Sequence, residues 1–343
     1  MNFRAFLNTL SSRMHTLPIV ILYVTEGCNL QCVMCSYREP LPNELSLSEI
    51  KELALQLKQL GLQHIVYSGG EPLLRKDFHK IVEIFSQLSL KQTLLTNGLL
   101  LEKRFDEIAK YFSEIIISLD GPTAEIHNVI RGIEAFEQIV RGVKKITAFT
   151  PRPLISIRTV IQKKNFMHIM QMVDFAQSIN ANRISFLPVD ILSDSFGRYS
   201  KETALAHEDL ILSEDEIKQF REHIQTMIEK YKEEFATKFI SDSPQSLLNR
   251  VQYFEALLGK NSFPKNNCNA PNVSAVITSN GNIQPCFFLS SFGNIREQSL
   301  TQAVNNKQIR AVRNDVRNYR EERCTTCVCT LNVNPVSALL NNF

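Results

Sequence analysis

No run of eighteen apolar residues occurs anywhere in this chain, so it offers no helix built to span a membrane. The first residues, "MNFRAFLNTLSSRMH", lack the apolar centre of a signal peptide. Phe3, Phe6, Leu7, Leu10 and Met14 instead share one helical face, expected to dock on the protein's own body. Arg4 and Arg13 bring too little basic charge for a membrane-surface role. Net charge is small, +3 with a pI near 8.4, which gives no footing for a nucleic-acid partner. Internal repeats and low-complexity segments are absent. Cysteine is scarce: eight in 343 residues, and none from 36 to 267. With no secretion signal, the thiols are expected in a reducing cytoplasm, where clustered cysteines bind metal more often than they form disulfides. Buried structural cysteines would scatter. These fall into two groups, 28–35 and 268–329, and read as two metal sites.

What is present describes an ordinary globular protein, 44% hydrophobic and 21% charged, long enough for one large domain and a smaller one. After an N-terminal helix (1–17), strand-like and helix-like patterns alternate from 18 to 190. Strands are expected at 19–24, 64–68, 92–96, 114–119, 154–161 and 183–189, as apolar runs covered on both faces. The intervening stretches are amphipathic; in "SLSEIKELALQLKQLG", Ser46 reads as an N-cap and Gly61 as a C-cap. Six such repeats argue for an α/β fold of parallel strands joined by crossovers. An open sheet and a barrel look alike at this level. Residues 191–265 read as a helical connection with a solvated charged face, 266–331 as a small cysteine-bearing domain, and 332–343 as a tail. "VSAVITSNGNIQPCFFL" reads as a hairpin turning at Asn280–Gly281.

The chemistry gathers at strand ends. "EGCNLQCVMCSY" follows the first strand and spaces Cys28, Cys32 and Cys35 as C-x3-C-x2-C. A disulfide would leave one sulfur over, and a zinc site of local pairs would show a second pair nearby. Three thiolates with one ligand missing suit an iron–sulfur cluster whose fourth iron binds something else. "SGGEPLLR" follows the second strand, "TNG" with Asn97 the third, and "SLDGP" the fourth. Four loops on one rim imply one shared site. Gly69 and Gly70 let main chain approach a ligand, and the Glu71 carboxylate suits an amine.

The triple-cysteine loop with Gly69-Gly70-Glu71-Pro72 and "SLDG" resembles the radical S-adenosylmethionine (SAM) superfamily over roughly residues 18–190. The resemblance implies a partial (β/α)6, TIM-like barrel holding a [4Fe–4S] cluster whose open iron chelates SAM. One electron then cleaves SAM to methionine and a 5′-deoxyadenosyl radical that takes hydrogen from a substrate. It further implies that the Gly69–Pro72 segment holds the methionine amino group and that Met34 lines the adenine pocket, with Tyr37 two positions past the third cysteine. Ser118 and Asp120 would serve the ribose, and Arg131 or Arg158 the SAM carboxylate. A flavodoxin- or ferredoxin-type reductant is expected.

The pattern Cys268-x12-Gly281-x4-Cys286, followed by "CTTCVC", resembles the auxiliary-cluster extension called SPASM, or Twitch in its short form. Five cysteines suffice for a second [4Fe–4S] cluster and not a third. Cys268, Cys286, Cys324 and Cys327 are the expected ligands, with Cys329 spare or an alternative; a zinc knuckle is the competing reading. Arg310, Arg313, Arg317 and Arg320 share a helix face that is expected to be solvated. His127 is either a structural histidine or a substrate-side acid or base.

The main functional expectation is radical oxidation of a small molecule, such as a sugar or cyclitol alcohol, with the auxiliary cluster accepting the second electron. The alternative is modification of a ribosomal peptide or protein side chain by thioether formation, cross-linking or formylglycine-type oxidation. Only 18 residues precede the first strand, too few for the recognition domain many peptide-modifying relatives carry. A catalytically silent Fe–S protein is disfavoured by the intact SAM motifs.

Overall fold

The computed structural model of the protein describes residues 3–198 and 208–340. Parts of the expected N-terminal helix (1–2), helical connection (199–207) and tail (341–343) lie outside the described residues.

Six parallel strands build the body: β1 (Ile19–Thr25), β2 (His64–Gly69), β3 (Lys91–Thr96), β4 (Glu114–Ser118), β5 (Leu154–Ile161) and β6 (Arg183–Pro188). They lie side by side in chain order and do not close into a complete barrel. All six expected strands are present within a residue or two. The helix after β1, Leu47–Gln59, shows why the local sequence folds as it does. Ser46 accepts from Glu49 N while the Glu49 side chain accepts from Ser46 N, a reciprocal cap that satisfies two otherwise orphaned donors. Gly61 follows in the left-handed region at φ +75°, where a chain leaving a helix needs glycine. Between those stops Ile50, Leu53, Ala54 and Leu57 form one buried stripe against the sheet.

The expectation of two covered sheet faces holds on β1, buried at every position, and is corrected on β2, β4 and β6. On β2, β4 and β6 burial alternates: Ile65, Tyr67, Ile115, Ile117, Ile184 and Phe186 are fully buried under helices, while their neighbours are half-buried. Each buried side chain contributes about 1.5–3 kcal/mol, and this layer is the core. The opposite, inner face is left partly open because the six strands form only part of a barrel, and no full ring of strands fills the interior.

The C-terminal cysteine segment is continuous with this sheet. β7 (Ser274–Ile277) pairs parallel with β1, Ile19 opposite Ser274, and continues through antiparallel β8 (Asn282–Gln284) and β9 (Gly293–Asn294). The β7–β8 hairpin turns at Asn280–Gly281 as expected, with Gly281 at φ +88°. At the other edge, Ile184 N donates to Phe239 O and Ser241 N donates to Ile184 O, so a piece of the helical connection covers β6. That connection holds the helices Glu214–Lys230, Lys232–Ala236 and Pro244–Leu257. No helix of the described residues is long and apolar enough to cross a membrane.

Of the four arginines expected on a solvated face, Arg310, Arg317 and Arg320 are exposed as expected, and Arg313 on the helix Lys307–Arg317 is the exception. Arg313 is buried; it donates from Nε to Pro271 O (2.6 Å) and from Nη1 to Ser12 O (3.1 Å). Arg317 donates to the carbonyls of Leu10 and Ser11 at 3.0 and 2.8 Å. These guanidiniums cap the carbonyl end of the N-terminal helix Phe3–Leu10, where positive charge is favoured, and fasten it to the body. Arg313→Ala should therefore destabilise the fold by about 2–4 kcal/mol, because it strands buried carbonyls and leaves a void. A denaturation midpoint unchanged in that variant would remove the clamp.

Candidate iron–sulfur and cofactor sites

The loop carrying Cys28, Cys32 and Cys35 is held by main chain from two other elements. Gln31 N and Val33 N donate to Arg131 O and Ile130 O, both at 3.0 Å, at the end of the helix Ala124–Arg131. Ser36 N donates to Phe196 O at 2.9 Å, in a strap that leaves β6. Gly70 has no room for a side chain: a Cβ would lie 2.2 Å from Gly27 O. Its N–H donates to Thr25 O (2.8 Å) and Glu71 N donates to Gly27 O (2.8 Å), stitching the Gly-Gly-Glu-Pro turn to the entrance of the cysteine loop. Gly132, at φ +78°, meets Gln31 O in the same way. Burial pushes the Cys28 thiol up to about 11 and raises Cys35, so iron must displace protons to bind.

Two acidic residues have tasks other than those expected. The Glu71 carboxylate is fully buried and does not face an open amine site. It accepts from Leu73 N (2.9 Å), Thr96 Oγ1 (2.8 Å) and Asn97 N (2.7 Å). Burial pushes its pKa up to about 7, against those three hydrogen bonds. Asn97, so placed, donates from Nδ2 to Asn29 Oδ1 (2.9 Å) and towards Cys28 Sγ (3.8 Å). Pro72, buried, opens the short turn that Glu71 caps. Asp120, expected on the ribose, is likewise fully buried. It pairs with Arg131 Nη2 at 2.7 Å and accepts from Val160 N at 2.8 Å. Arg131, expected on the SAM carboxylate, spends its other arm on Cys32 Sγ at 3.7 Å. Sequence alone does not separate a carboxylate that meets a ligand from one that holds a loop. Glu71→Ala should lower stability by about 2–4 kcal/mol and loosen iron at the first site, since three buried donors lose one acceptor. Iron retention and thermal midpoint equal to the unsubstituted protein would contradict this.

Ser118 and Arg158 are register neighbours on β4 and β5, and Arg158 Nε donates to Ser185 Oγ on β6 at 3.4 Å. Met34 is half-buried against the main core, and Tyr37 is a wall residue meeting Tyr23 edge-on at 6.3 Å. His127 is fully buried, accepts from Asp120 N at 3.3 Å, and is kept neutral by burial, its pKa lowered to about 3. Of its two readings the structural one stands.

All five C-terminal cysteines line one cavity, with Ile21 of β1 and Arg323. Cys268 Sγ accepts from Ala270 N and Leu331 N, and Cys286 Sγ from Phe288 N, each at 3.5 Å. Asn266 Nδ2 donates to the carbonyls of Cys324 (3.1 Å) and Cys327 (2.7 Å), fixing the turn between them. Burial raises the thiols, Cys286 to about 12 and Cys324 to about 11. Cys329 differs in its surroundings, because Arg158 and Arg250 act on it as well as Cys268. Between the two cysteine groups stands Tyr23, whose phenol feels both Cys286 and Cys35 and stacks on Phe287 at 6.2 Å.

The strap from Asp190 to Arg198 is the element that sequence reading missed. Asp190 pairs with Arg198 (2.5 Å) and with Arg323 (2.9 Å), the neighbour of Cys324. Ser195 Oγ donates to Phe287 O at 2.7 Å, and Phe196 O faces Cys35 Sγ at 3.5 Å. One short segment thus meets Cys35 of the first group and the sequence neighbours of Cys286 and Cys324 in the second. Nothing in "DILSDSFGR" marks it, because its partners lie far away in sequence.

A model of the radical SAM superfamily matches residues 22–176, and a model of an iron–sulfur cluster-binding domain, SPASM, matches residues 268–328. The chain belongs to the radical SAM superfamily and carries a SPASM extension. Over 164 residues this radical SAM protein is 30% identical to the AdoMet-dependent heme synthase of Oleidesulfovibrio alaskensis, covering 46% of this chain and 42% of that one. It is 31% identical over 164 residues to the mycofactocin maturase MftC of Mycobacterium tuberculosis, covering 46% and 41%. The chain therefore spans less than half the length of these relatives. Its fold is that of Streptococcus suis SuiB bound to the precursor peptide SuiA, with TM-score 0.63 at 17% identity over 96% of this chain and 74% of that one. A SAM-binding [4Fe–4S] cluster and an auxiliary cluster go with these two domains. The residues present fit both. Each group offers sulfur donors, and backbone N–H, amide and guanidinium donors already point at the sulfurs, as thiolates require. Among the described residues no three Cys, His, Asp or Glu side chains sit close enough for a single metal ion.

Proposed function

We propose that this chain is a radical SAM enzyme that removes a hydrogen atom from a C–H bond of a peptide or protein substrate. The observation that carries the reading is the open inner face of the half-barrel. That face is half-buried on β2, β4 and β6, and Tyr23 of β1 lines a cavity of about 500 Å³ between the Asp190–Arg198 strap and the β7–β8 hairpin. The cavity wall mixes aromatic rings (Tyr23, Tyr37, Phe287) with side-chain amides (Asn282, Gln284), a lining that suits an extended chain. The similarity to a mycofactocin maturase, and the fold shared with SuiB bound to its precursor peptide, support the same choice. Oxidation of a sugar or cyclitol finds no counterpart among these relatives. The heme synthase similarity keeps a small-molecule substrate as the second reading.

Bound together, the cluster and SAM supply a 5′-deoxyadenosyl radical. Cys28, Cys32 and Cys35 would hold the first cluster, and main chain at Gly69 and Gly70 would meet the SAM amine. Ser118 and Arg158, adjacent on the inner face, offer a hydroxyl and a guanidinium to the SAM carboxylate. Met34 and Tyr37 flank the cofactor. The substrate would pass its hydrogen atom to that radical, giving 5′-deoxyadenosine, and Cys268, Cys286, Cys324 and Cys327 would hold an auxiliary cluster that supplies a one-electron acceptor. A flavodoxin- or ferredoxin-type protein provides the initial electron. The test is anaerobic incubation with SAM, a reductant and panels of candidate peptides and small molecules, read by mass spectrometry. A peptide that both accelerates 5′-deoxyadenosine release and changes mass is the expected result. Acceleration by small molecules alone would transfer the assignment to the second reading.

A further inference from the structure

The three sulfurs of the first group have unlike neighbours. Cys28 faces the neutral amide of Asn97 at 3.8 Å, and Cys35 faces the carbonyl of Phe196 at 3.5 Å. Cys32 alone among them accepts a hydrogen bond from a charged side chain among the described residues, Arg131 Nη1 at 3.7 Å, while Cys35 lies in the field of the same guanidinium and of Arg38. The same guanidinium is held from behind by Asp120 at 2.7 Å, and the pair is buried, with Arg131 8% and Asp120 0% exposed. The result is a fixed dipole with its positive end on a ligand sulfur.

We propose that the Asp120–Arg131 pair sets the reduction potential of the cluster held by Cys28, Cys32 and Cys35, Arg131 raising it and Asp120 lowering it. The inference rests on the cluster that the family places at those cysteines. The step is a one-electron reduction in which no bond forms or breaks and no proton moves; the added electron comes from the external reductant. Reduction adds one negative charge to the cluster and its thiolates, so a neighbouring positive charge stabilises the reduced form more than the oxidised one. Burial limits the screening that would erase this difference at a surface. The Asp120 carboxylate, paired with the other terminal nitrogen Nη2, carries the opposite charge and opposes it. Asp120 also fixes which way Arg131 points, because Val160 N holds its other oxygen at 2.8 Å.

The two ends of the pair should shift the potential in opposite directions, which general loosening of the site would not do. The experiment is an EPR-monitored redox titration of the anaerobically reconstituted full chain. The Cys28→Ala, Cys32→Ala, Cys35→Ala protein supplies the C-terminal signal to subtract. Arg131→Gln, which keeps a hydrogen-bond donor and loses the charge, should make reduction about tenfold less favourable. For a one-electron couple that is a midpoint lowered by about 59 mV. Asp120→Asn should raise the midpoint, and Arg131→Lys should stay closer to the unsubstituted protein than Arg131→Gln. If Asp120→Asn does not fold or load iron, the Lys–Gln comparison decides. Shifts of the same sign at both positions, or equal shifts for Lys and Gln at 131, would overturn the proposal. A full chain with no reduced-cluster signal at the first site would instead overturn the cluster assignment on which it rests.

Discussion

Protein with Cys28→Ala, Cys32→Ala and Cys35→Ala should release no 5′-deoxyadenosine from SAM, yet keep about half of its iron. Both halves of this expectation follow from how the cysteines are placed. The three loop thiols answer to Arg131, Asn97 and the strap, whereas the five C-terminal thiols line a separate cavity beyond Tyr23. Removing the loop thiols takes every sulfur from the first site and leaves the second set complete. The loop itself should survive, since its clamps are main-chain bonds from Gln31, Val33 and Ser36 that alanine does not disturb. The loss of SAM cleavage should therefore be chemical, and circular dichroism of the variant should match that of the parent. Iron and sulfide analysis with product detection checks it. Loss of all iron would mean that the two sites assemble as one, and remaining cleavage would place SAM elsewhere. Metal analysis of the same variant also decides between iron and zinc at the C-terminal cysteines.

Much of this architecture was legible in the chain because the signals involved are local. Six apolar runs at regular intervals, the Ser46–Glu49 cap and the Asn280–Gly281 turn each depend on neighbours a few residues away. The division of cysteines into two groups was equally plain, since spacing alone separates them. What escaped were pairings between distant segments. The union of β7 with β1 joins residues 19 and 274, and no periodicity announces it. Arg313 reads as part of a charged surface because its acceptors are the backbone carbonyls of residues 12 and 271, which carry no sequence mark. Glu71 and Asp120 follow the ends of β2 and β4, but a carboxylate spelled into a strand end reads the same whether it meets a ligand or closes a loop. The structure decides by burial: both are sealed, and each acts on a cysteine through another side chain, Asn97 or Arg131.

Cys268→Ala combined with Cys286→Ala should separate cleavage of SAM from completion of the reaction. The first site shares no ligand with the second, so SAM should still be cut and 5′-deoxyadenosine released. The substrate radical left behind would find no acceptor, and oxidised product should be lost or replaced by reduced or hydrogen-returned substrate. The physical reason is that a carbon radical beside nitrogen or oxygen is a strong reductant that still needs an acceptor within tunnelling reach. The second cavity lies against Ile21 of β1, the strand whose end leads into the first cysteine loop. Cys268 and Cys286 are the right pair to remove, because their sulfurs already accept backbone N–H groups from Ala270, Leu331 and Phe288. Cys329→Ala serves as the companion variant. Its thiol lies under the influence of Arg158 and Arg250 as well as Cys268, so if Cys327 completes the ligand set its loss should leave the iron count unchanged. An iron count that falls with Cys329→Ala as far as with Cys268→Ala would make Cys329 the fourth ligand instead. Deoxyadenosine and product are quantified separately in each variant. Full product from protein shown to lack the second cluster would end its role as acceptor and leave it as a brace between the hairpin and the chain's last cysteines.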